Sequence, residues 1–449
     1  MPSSITAAYL ARYRSIAEVA DTAAELLPLT GAQRRFLITR RSDPRGRTDI
    51  VPLFFAFPRG TVDLPRLRRA AVRLAAHHPA LRGSFTVLRG TPVLRLCEPS
   101  VEVARAVTDP DGAADPADPH FSDGAARAAL RRALLDWPLD GSVLRLLLAS
   151  APDDEEELLA VALDHAACDE QSLGLVTEGL AIAYAADGDS AEEGDGGDDG
   201  DRTAAYRAAV ELQLAAEAQA AGEAAQTHWA ARLGVLGEAD APRQGADPAG
   251  SAWSTGMLTD RLPAVTGAAR GGVFPALLDA VAAAAHHLAG GTDRTLALGY
   301  PWGGRPAEAT PVLGCFLNTV VHPGPPGPPR DLDALADAWW DDLDHADTPF
   351  DEVVRAARSA GARWSGALDG LLTFEDLHRR PPLALDGVTG REVHLAGRPL
   401  PVPLAVSASH GDDLLIRLAW DRDRYPEAAA EQAFGTLLGA VRRHLNPTA

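Results

Sequence analysis

Hydrophobic residues occur in two patterns along this chain, short continuous runs and helical spacing, and both patterns are found throughout the sequence. Short apolar runs predict strands over 51–57, 84–88, 93–97, 143–149 and 157–163, and again over 296–300, 316–321, 371–374, 404–409 and 414–420. Apolar residues at helical spacing predict helices from Leu64 and from Ser172, and over 206–233, 273–288 and 428–445. Because strands and helices are mixed in both halves, the pattern indicates an α/β fold with mixed (α+β) sheets.

One segment interrupts this pattern. Residues 187–201 have the sequence DGDSAEEGDGGDDGD, which is too acidic and glycine-rich to bury a core. We therefore predict a flexible, solvated acidic linker over 187–202. It separates an N-terminal lobe, 25–186, from a C-terminal lobe, 203–449, and an alanine-rich amphipathic extension over 1–24 precedes both. The cleft between two such lobes is the natural place for a site.

The apolar run 158–163 leads directly into the sequence DHAACDE at 164–170. His165 is thus predicted on a turn between a strand and a helix, and it alone among the thirteen histidines has an aspartate four residues later. A base held on such a turn can project into a cleft. Two interpretations stay open at this point. His165 is a catalytic base, or it is an ordinary residue at a strand end beside Asp169, which only caps the next helix.

Composition excludes several classes of function. The chain has 42 basic and 62 acidic residues and a net charge of −20, which argues against nucleic acid or an anionic membrane as partner. Every basic residue is arginine, so chemistry that needs a lysine nucleophile, Schiff base or P-loop lysine is excluded. Three scattered cysteines predict a reducing compartment and no metal cluster. With neither a signal peptide nor a membrane-spanning run, we expect a cytoplasmic protein.

From about Leu27 onward, the chain resembles the condensation domains of nonribosomal peptide synthetases, members of the chloramphenicol acetyltransferase-like superfamily. Five matches carry the resemblance in the family's order, and the fourth consists of two segments: LTGAQRRFL at 29–37, HHPALRGSF at 77–85, DHAACDE at 164–170, the pair GYPWGGR and LGCFLNT at 299–305 and 313–319, and DTPFD at 347–351. The resemblance implies two acetyltransferase-like lobes arranged as a V-shaped pseudo-dimer. The active site is then expected in the tunnel between them.

The resemblance also implies an activity. A free-standing condensation enzyme would transfer an acyl or aminoacyl group from the phosphopantetheine thioester of a carrier protein to an amine, forming an amide in natural-product biosynthesis. The expected partners are acyl or peptidyl carrier proteins in trans and an amine or alcohol acceptor. We expect no permanently bound cofactor, because the phosphopantetheine arm belongs to the carrier.

Individual residues follow from the family's HHxxxDG motif. Its second histidine corresponds to His165, which would take a proton from the attacking amine or hold that amine in line. Its aspartate corresponds to Asp169, which is expected to pair with an arginine and brace the loop. Arg305 is our first choice for that partner and Arg82 is the second, because a buried carboxylate without a partner is costly.

Departures from the motif leave the function open. Asp164 replaces the first histidine and Glu170 replaces the glycine, and Asp164 is expected to raise the pKa of His165. We expect Asp164, Glu170, Trp302 and Asn318 along the substrate tunnel. Three hypotheses remain: condensation on a carrier-bound substrate, ester or amide formation on a free small-molecule acceptor, or a non-catalytic condensation-like platform that recruits a tailoring enzyme.

Overall fold

The computed structural model describes most of the chain. The described residues are 4–18, 26–42, 49–108, 124–138, 141–151, 154–186, 199–238, 255–265 and 271–445, except 304, 307, 310, 329, 378–380, 396, 398 and 399. All statements below concern these residues. No helix among them is both long and apolar enough to cross a bilayer.

Strands and helices of the N-terminal half form one mixed sheet, a small second sheet and the helices that cover them. Their bounds are α1 Ile5–Ala17, β1 Leu26–Leu27, α2 Gly31–Ser42, β2 Ile50–Pro58, α3 Leu64–His77, α4 Pro79–Arg82, β3 Gly83–Leu88, β4 Thr91–Leu96, β5 Val101–Arg105, α5 Ala125–Leu135, β6 Leu144–Ala149, β7 Glu156–Asp164 and α6 Glu170–Ala185. The small sheet has the order β1-β4-β3. In the larger sheet, β7 lies between β2 and β6 and is antiparallel to both, while β5 pairs with β6 in parallel.

The C-terminal half contributes a second large sheet. Its elements are α7 Asp199–Ala220, α8 Glu223–Leu233, β8 Thr255–Pro263, α9 Val273–Leu288, β9 Leu296–Trp302, β10 Asn318–Gly324, α10 Leu332–Leu343, α11 Phe350–Ser359, β11 Gly370–Asp376, β12 Ala384–Leu385, β13 Val388–Thr389, β14 Arg391–Val393, β15 Leu404–His410, β16 Asp413–Asp421 and α12 Glu427–Leu445. Six strands form the order β10-β9-β11-β15-β16-β8. The strands and helices predicted from the hydrophobic pattern are all present, except that 206–233 is two helices, α7 and α8.

The two halves share structure, so the predicted lobe boundary at residues 187–202 is not a clean division. Strand β14 pairs antiparallel with β2 and completes the N-terminal sheet in the order β14-β2-β7-β6-β5. Leu383 and Leu385 are fully buried in the N-terminal core. We call residues 381–395 the crossover strap. It covers the β2 edge, whose backbone groups would otherwise lack partners.

The predicted extension over 1–24 is also part of the fold. Helix α1 buries Tyr9 and Tyr13 in the N-terminal core, and the Tyr9 hydroxyl accepts a hydrogen bond from the Leu29 backbone at 2.7 Å. Of the predicted linker, residues 187–198 lie outside the described residues, whereas 199–202 form the first turn of α7. Acidic side chains are favourable at a helix N-terminus, which explains why an acidic segment can begin a helix.

Candidate functional site

His165 follows the last residue of β7 and is half-buried. Its backbone N–H donates to the Asp49 carbonyl at 2.7 Å, and its ring Nδ1 lies 3.2 Å from the Cys168 carbonyl. A carbonyl oxygen only accepts hydrogen bonds, so this contact requires the hydrogen on Nδ1. In the neutral ring, Nε2 is then the basic atom.

The orientation of the His165 ring is also set by an aromatic contact. The Phe36 ring of α2 stacks on it, with 4.0 Å between ring centres and 20° between ring planes. Such an offset stack restricts rotation of the imidazole about its side-chain bonds. Phe36 was not singled out from the sequence. Its only signal was its place in the segment 29–37, the first match to the family.

Asp169 performs both of the roles left open by the sequence. As N-cap of α6, its Oδ1 accepts the Ser172 N–H at 2.9 Å. It also forms a buried ion pair, because Arg305 Nη2 lies 2.7 and 2.8 Å from its two oxygens. The Phe316 N–H donates to Oδ2 at 3.0 Å. One carboxylate therefore joins the turn after β7 to the segment between β9 and β10.

Arg305 makes further contacts at this junction. Its Nη1 donates to the Val312 carbonyl at 2.5 Å and its Nη2 lies 3.2 Å from the Gly314 carbonyl. Its guanidinium carbon lies 4.5 Å from the centre of the Phe316 ring. The side chains of Arg305 and Asp169 are 10% and 4% exposed, so the ion pair is buried, and these contacts offset part of the cost of burying its charges.

Arg82, the second choice as partner of Asp169, does not hold that position. It is the last residue of the short helix α4, which packs against α3, α7 and β4. Among the described residues, the cation at Asp169 is Arg305. Arg305 follows a glycine-rich segment that brings it back toward α6, whereas Arg82 is part of a helix in the N-terminal half.

Two further side chains tie the turn to its surroundings. Thr30 and Gln33 form a capping box at the start of α2: Gln33 N–H donates to Thr30 Oγ1 at 3.3 Å, and Thr30 N–H donates to Gln33 Oε1 at 3.0 Å. Gln33 Nε2 also donates to the Ala166 carbonyl at 2.9 Å, and Thr30 Oγ1 donates to the Cys315 carbonyl at 2.9 Å. The T-x-x-Q spacing was a visible signal for the cap, but not for these long-range bonds.

Tyr206 of α7 also contacts residues near the site. Its side chain is fully buried, its hydroxyl accepts a hydrogen bond from Gln33 Nε2 at 3.0 Å, and its ring meets Phe316 edge to face. Burial raises its pKa well above the ordinary value, so the phenol stays protonated at neutral pH. The tyrosine therefore braces α7 against the site.

Asp164 replaces the motif's first histidine, and its expected position along the substrate tunnel stays a prediction. Its carboxylate is buried in an ion pair with Arg40 Nη2, and its Oδ1 accepts the Ala166 N–H at 2.9 Å. Arg40 Nε lies 2.9 Å from Asp49 Oδ2, so one guanidinium neutralises two carboxylates. Burial raises the pKa of Asp164, and the charge of Arg40 opposes this rise. The Asp164 carboxylate thus meets Arg40 of α2, while the His165 ring meets Phe36 of the same helix.

Asn318 likewise has a bracing position. Its amide Nδ2 donates to the carbonyls of Ala346 and Thr348 at 2.7 and 2.6 Å, so it fixes the loop that precedes α11. Trp302 lies opposite Asn318 in the β9–β10 register and is half-buried. Its Nε1 donates to Asp347 Oδ1 at 3.2 Å. The Asn318 amide nitrogen therefore donates within the protein, and the expected position of Asn318 along the tunnel stays a prediction.

Glu170 is exposed in the first turn of α6. Its neighbour Gln171 donates from Nε2 to the Gly303 carbonyl at 3.2 Å, so the start of α6 meets the end of β9 here. A carboxylate is electrostatically favourable at a helix N-terminus. Its exposure is compatible with the expected position at the junction.

The structure is therefore a mixed α/β domain with two large sheets, in which Asp169 and Arg305 cross-link the histidine-bearing turn of one half to the other half. The Condensation domain family matches residues 23–445 of the sequence. The chain therefore belongs to the condensation domain family.

Curated relatives match shorter stretches. A probable nonribosomal peptide synthetase, CymA of Salinispora arenicola (strain CNS-205), is 34% identical over 163 residues, which cover 36% of this chain and 2% of that protein. Tyrocidine synthase 2 of Brevibacillus parabrevis is 38% identical over 71 residues, which cover 16% of this chain and 2% of that protein. The chain thus matches about 2% of the length of each of these relatives.

Solved structures share the fold over nearly the whole chain. The first condensation domain of the CDA synthetase is 19% identical with a TM-score of 0.65, covering 96% of this chain and 98% of that one. The starter condensation domain of rhizomide synthetase RzmA, solved with C8-CoA and Leu-SNAC, is 15% identical with a TM-score of 0.68, covering 94% and 95%. At these identities the likeness shows the condensation-domain fold.

Proposed function

We propose that this chain transfers an acyl or aminoacyl group from a carrier-protein phosphopantetheine thioester to an amine and forms an amide. The amine attacks the thioester carbonyl, the C–S bond breaks, and the phosphopantetheine thiol leaves. His165 Nε2 takes the proton that the amine loses, or holds the amine in line for attack. The carrier proteins bring the phosphopantetheine arm. That the enzyme is free-standing stays a prediction.

The observation that carries this proposal is the arrangement of His165. Its Nδ1 contact with the Cys168 carbonyl favours the tautomer in which Nε2 is basic, and the Phe36 stack fixes the ring plane. A recruiting platform has no need of a histidine held in this tautomer. The departures at Asp164 and Glu170 do not weaken the arrangement, since Asp164 is paired with Arg40 and Glu170 is exposed.

The proposal can be tested with soluble substitutes of the two substrates. Wild type and His165→Gln would be mixed with an octanoyl-CoA or octanoyl-carrier-protein donor and with leucyl-N-acetylcysteamine, free amines and alcohols as acceptors. Intact-mass and product-mass analysis identifies the bond formed. We expect amide formation by wild type and a loss of about 100-fold or more in His165→Gln, since general base catalysis typically contributes 10²–10⁴-fold.

A matched control is available in His77, which is also half-buried and whose ring Nδ1 contacts a backbone carbonyl, that of Arg73, at 2.8 Å. His77→Gln should retain wild-type turnover. If the main product is an ester, the natural acceptor is an alcohol and the proposal of an amine acceptor is wrong. If wild type and His165→Gln bind the carrier protein equally and neither turns over substrate, the proposed enzyme activity is wrong and the recruiting platform is favoured.

A further inference from the structure

One face of helix α2 contacts three consecutive residues of the site, 164–166. Gln33, Phe36 and Arg40 are spaced by three and four residues, so their side chains lie along one side of the helix. Arg40 pairs with the carboxylate of the first of the three, Phe36 stacks on the ring of the second, and Gln33 binds the carbonyl of the third. We call Gln33, Phe36 and Arg40 the α2 clamp.

Arg40 has a second connection to His165. Its Nε pairs with Asp49 Oδ2 at 2.9 Å, and the carbonyl of Asp49 accepts the His165 N–H at 2.7 Å. The side chains of Arg40, Asp49 and Asp164 are only 9%, 5% and 10% exposed. Charges that are buried to this degree interact strongly, so the position of Arg40 sets the positions of both carboxylates. One of these carboxylates belongs to the residue that precedes His165 in the chain, and the other to the residue whose carbonyl accepts the His165 N–H.

We infer that Arg40 is a positioning residue for His165, and that Asp164 is its required counter-ion rather than a degraded form of the family's first histidine. Loss of the pair releases the end of β7 and lets the His165 ring rotate away from the Cys168 carbonyl. An aspartate at this position therefore preserves the site in this chain. A histidine there, as in the family motif, faces the Arg40 guanidinium and removes half of its neutralising charge.

The effect on the ring can be measured without any substrate. Protein labelled with ¹⁵N in its histidine rings gives distinct signals for the Nδ1–H and Nε2–H tautomers, and His165→Gln identifies the signal of His165. We expect the Nδ1–H form in wild type and averaged tautomers in Arg40→Met and Asp164→His. Asp164→Asn keeps the shape of the side chain and its contact with the Ala166 N–H, so it should give a smaller change in the tautomer signal. This variant still tests the inference if Arg40→Met or Asp164→His does not fold.

Arg34 supplies the matched control. It lies on the same helix and is as deeply buried, with its Nη2 3.4 Å from Glu217 Oε2, but its contacts are to α1, α7 and the Leu29 carbonyl. Arg34→Met therefore removes a buried ion pair from α2 without touching residues 164–166. It should lower stability as Arg40→Met does and leave the His165 ring signal unchanged.

The kinetic consequence rests on the proposed function. With the acyl and amine probes above, Arg40→Met and Asp164→His should lower kcat by about 10- to 100-fold, the effect expected from a displacement of about 1 Å at a reacting group. The KM of both probes should change less than twofold, because Arg40 and Asp164 are buried and paired within the protein. Arg40→Lys keeps the charge and should recover part of kcat.

An unchanged His165 ring signal in folded Arg40→Met overturns the inference, whatever the enzyme activity. The same applies if Arg34→Met alters the signal equally, since Arg40 would then act through general stability. If wild type transfers no acyl group but the ring signals change as expected, the clamp stands and the proposed function fails.

Discussion

Asp169 accepts hydrogen bonds from Arg305, Ser172 and Phe316 within a site that is almost closed to solvent. Asp169→Asn keeps the shape of the side chain but leaves the Arg305 charge buried without its counter-ion. Removing one partner of a buried pair typically costs about 3–5 kcal/mol. We expect a loss of that size in the free energy of unfolding, measured by urea denaturation, together with loss of acyl transfer.

Arg305→Lys tests the geometry of the same pair. A lysine ammonium cannot bind two carboxylate oxygens and two backbone carbonyls in the fixed plane that a guanidinium provides. The variant should therefore resemble Asp169→Asn in stability and transfer rate. Wild-type behaviour of Arg305→Lys would mean that charge alone is sufficient at this position.

The pairing of Asp169 with Arg305 could be proposed from the sequence because both lie in recognisable motifs. The pairing of Arg40 with Asp49 and Asp164 could not, since Arg40 lies in a run of arginines that gives no sign of burial. A motif gives the identity of the Asp164 side chain but not its partner. The pairing of β2 with β7 brings Asp49 close to Asp164, and α2 supplies Arg40.

At the scale of the element, the start of α2 connects helix stability to the site. Thr30→Ala removes the hydroxyl that accepts the Gln33 N–H at the start of α2 and that donates to the Cys315 carbonyl. Loss of an N-cap costs about 1 kcal/mol. We expect this loss in urea denaturation and, because α2 carries the clamp, a fall in transfer rate of at least fivefold.

Asp331→Ala is the control for that variant. Asp331 is the N-cap of α10, where its carboxylate accepts the Ala334 N–H at 3.2 Å, and it lies in the C-terminal half away from α2. It should cost a similar free energy of unfolding and leave the transfer rate unchanged. An equal fall in rate for both variants would show that stability alone determines the rate.

Element types were largely predictable from the chain, whereas their partners were not. Helix α9 has the predicted bounds 273–288, because its apolar face is continuous and it is buried on nearly all sides. The predicted helix 206–233 is divided at Ala221 and Gly222. The sequence does not show this break, because the helical periodicity of apolar residues continues through it. Strand β14 has three residues, too few for an alternating pattern to be detected.

At the scale of the whole molecule, stability should depend on pH through a histidine. Burial, followed by the charges of His77 and Arg202, lowers the pKa of His78 to about 4. The unfolded chain, with a histidine pKa near 6.5, binds a proton first as the pH falls. The contribution of the neutral His78 ring to the free energy of unfolding is therefore fully present above about pH 6.5. As the pH falls toward 4, about 1–3 kcal/mol of it is lost progressively.

Urea denaturation at pH 7.5 and pH 5.0 measures this change. The buried His322, whose pKa burial also lowers, acts in the same direction. Comparison of wild type with His78→Gln isolates the contribution of His78, because the variant lacks that imidazole but keeps His322. The difference in unfolding free energy between the two pH values should be smaller in His78→Gln by about 1–3 kcal/mol.

The crossover strap can be tested through Gly390. A Cβ added there would lie 2.5 Å from Cζ of Phe57, a ring that is fully buried. Gly390→Ala should therefore cost about 1–3 kcal/mol, as overpacking of a core does. In Gly411→Ala the nearest atom is Leu377 Cδ1 at an ordinary 3.5 Å, and this control should unfold close to wild type.

The strap also has a consequence during synthesis. Strand β2 is translated long before its outer partner β14, which follows it far along the chain. At about 5–20 residues per second, β2 waits for tens of seconds with one edge unpaired. An open strand edge invites pairing with other chains. We therefore expect a nascent N-terminal half to depend on other protection of the β2 edge until residue 393 has left the ribosome.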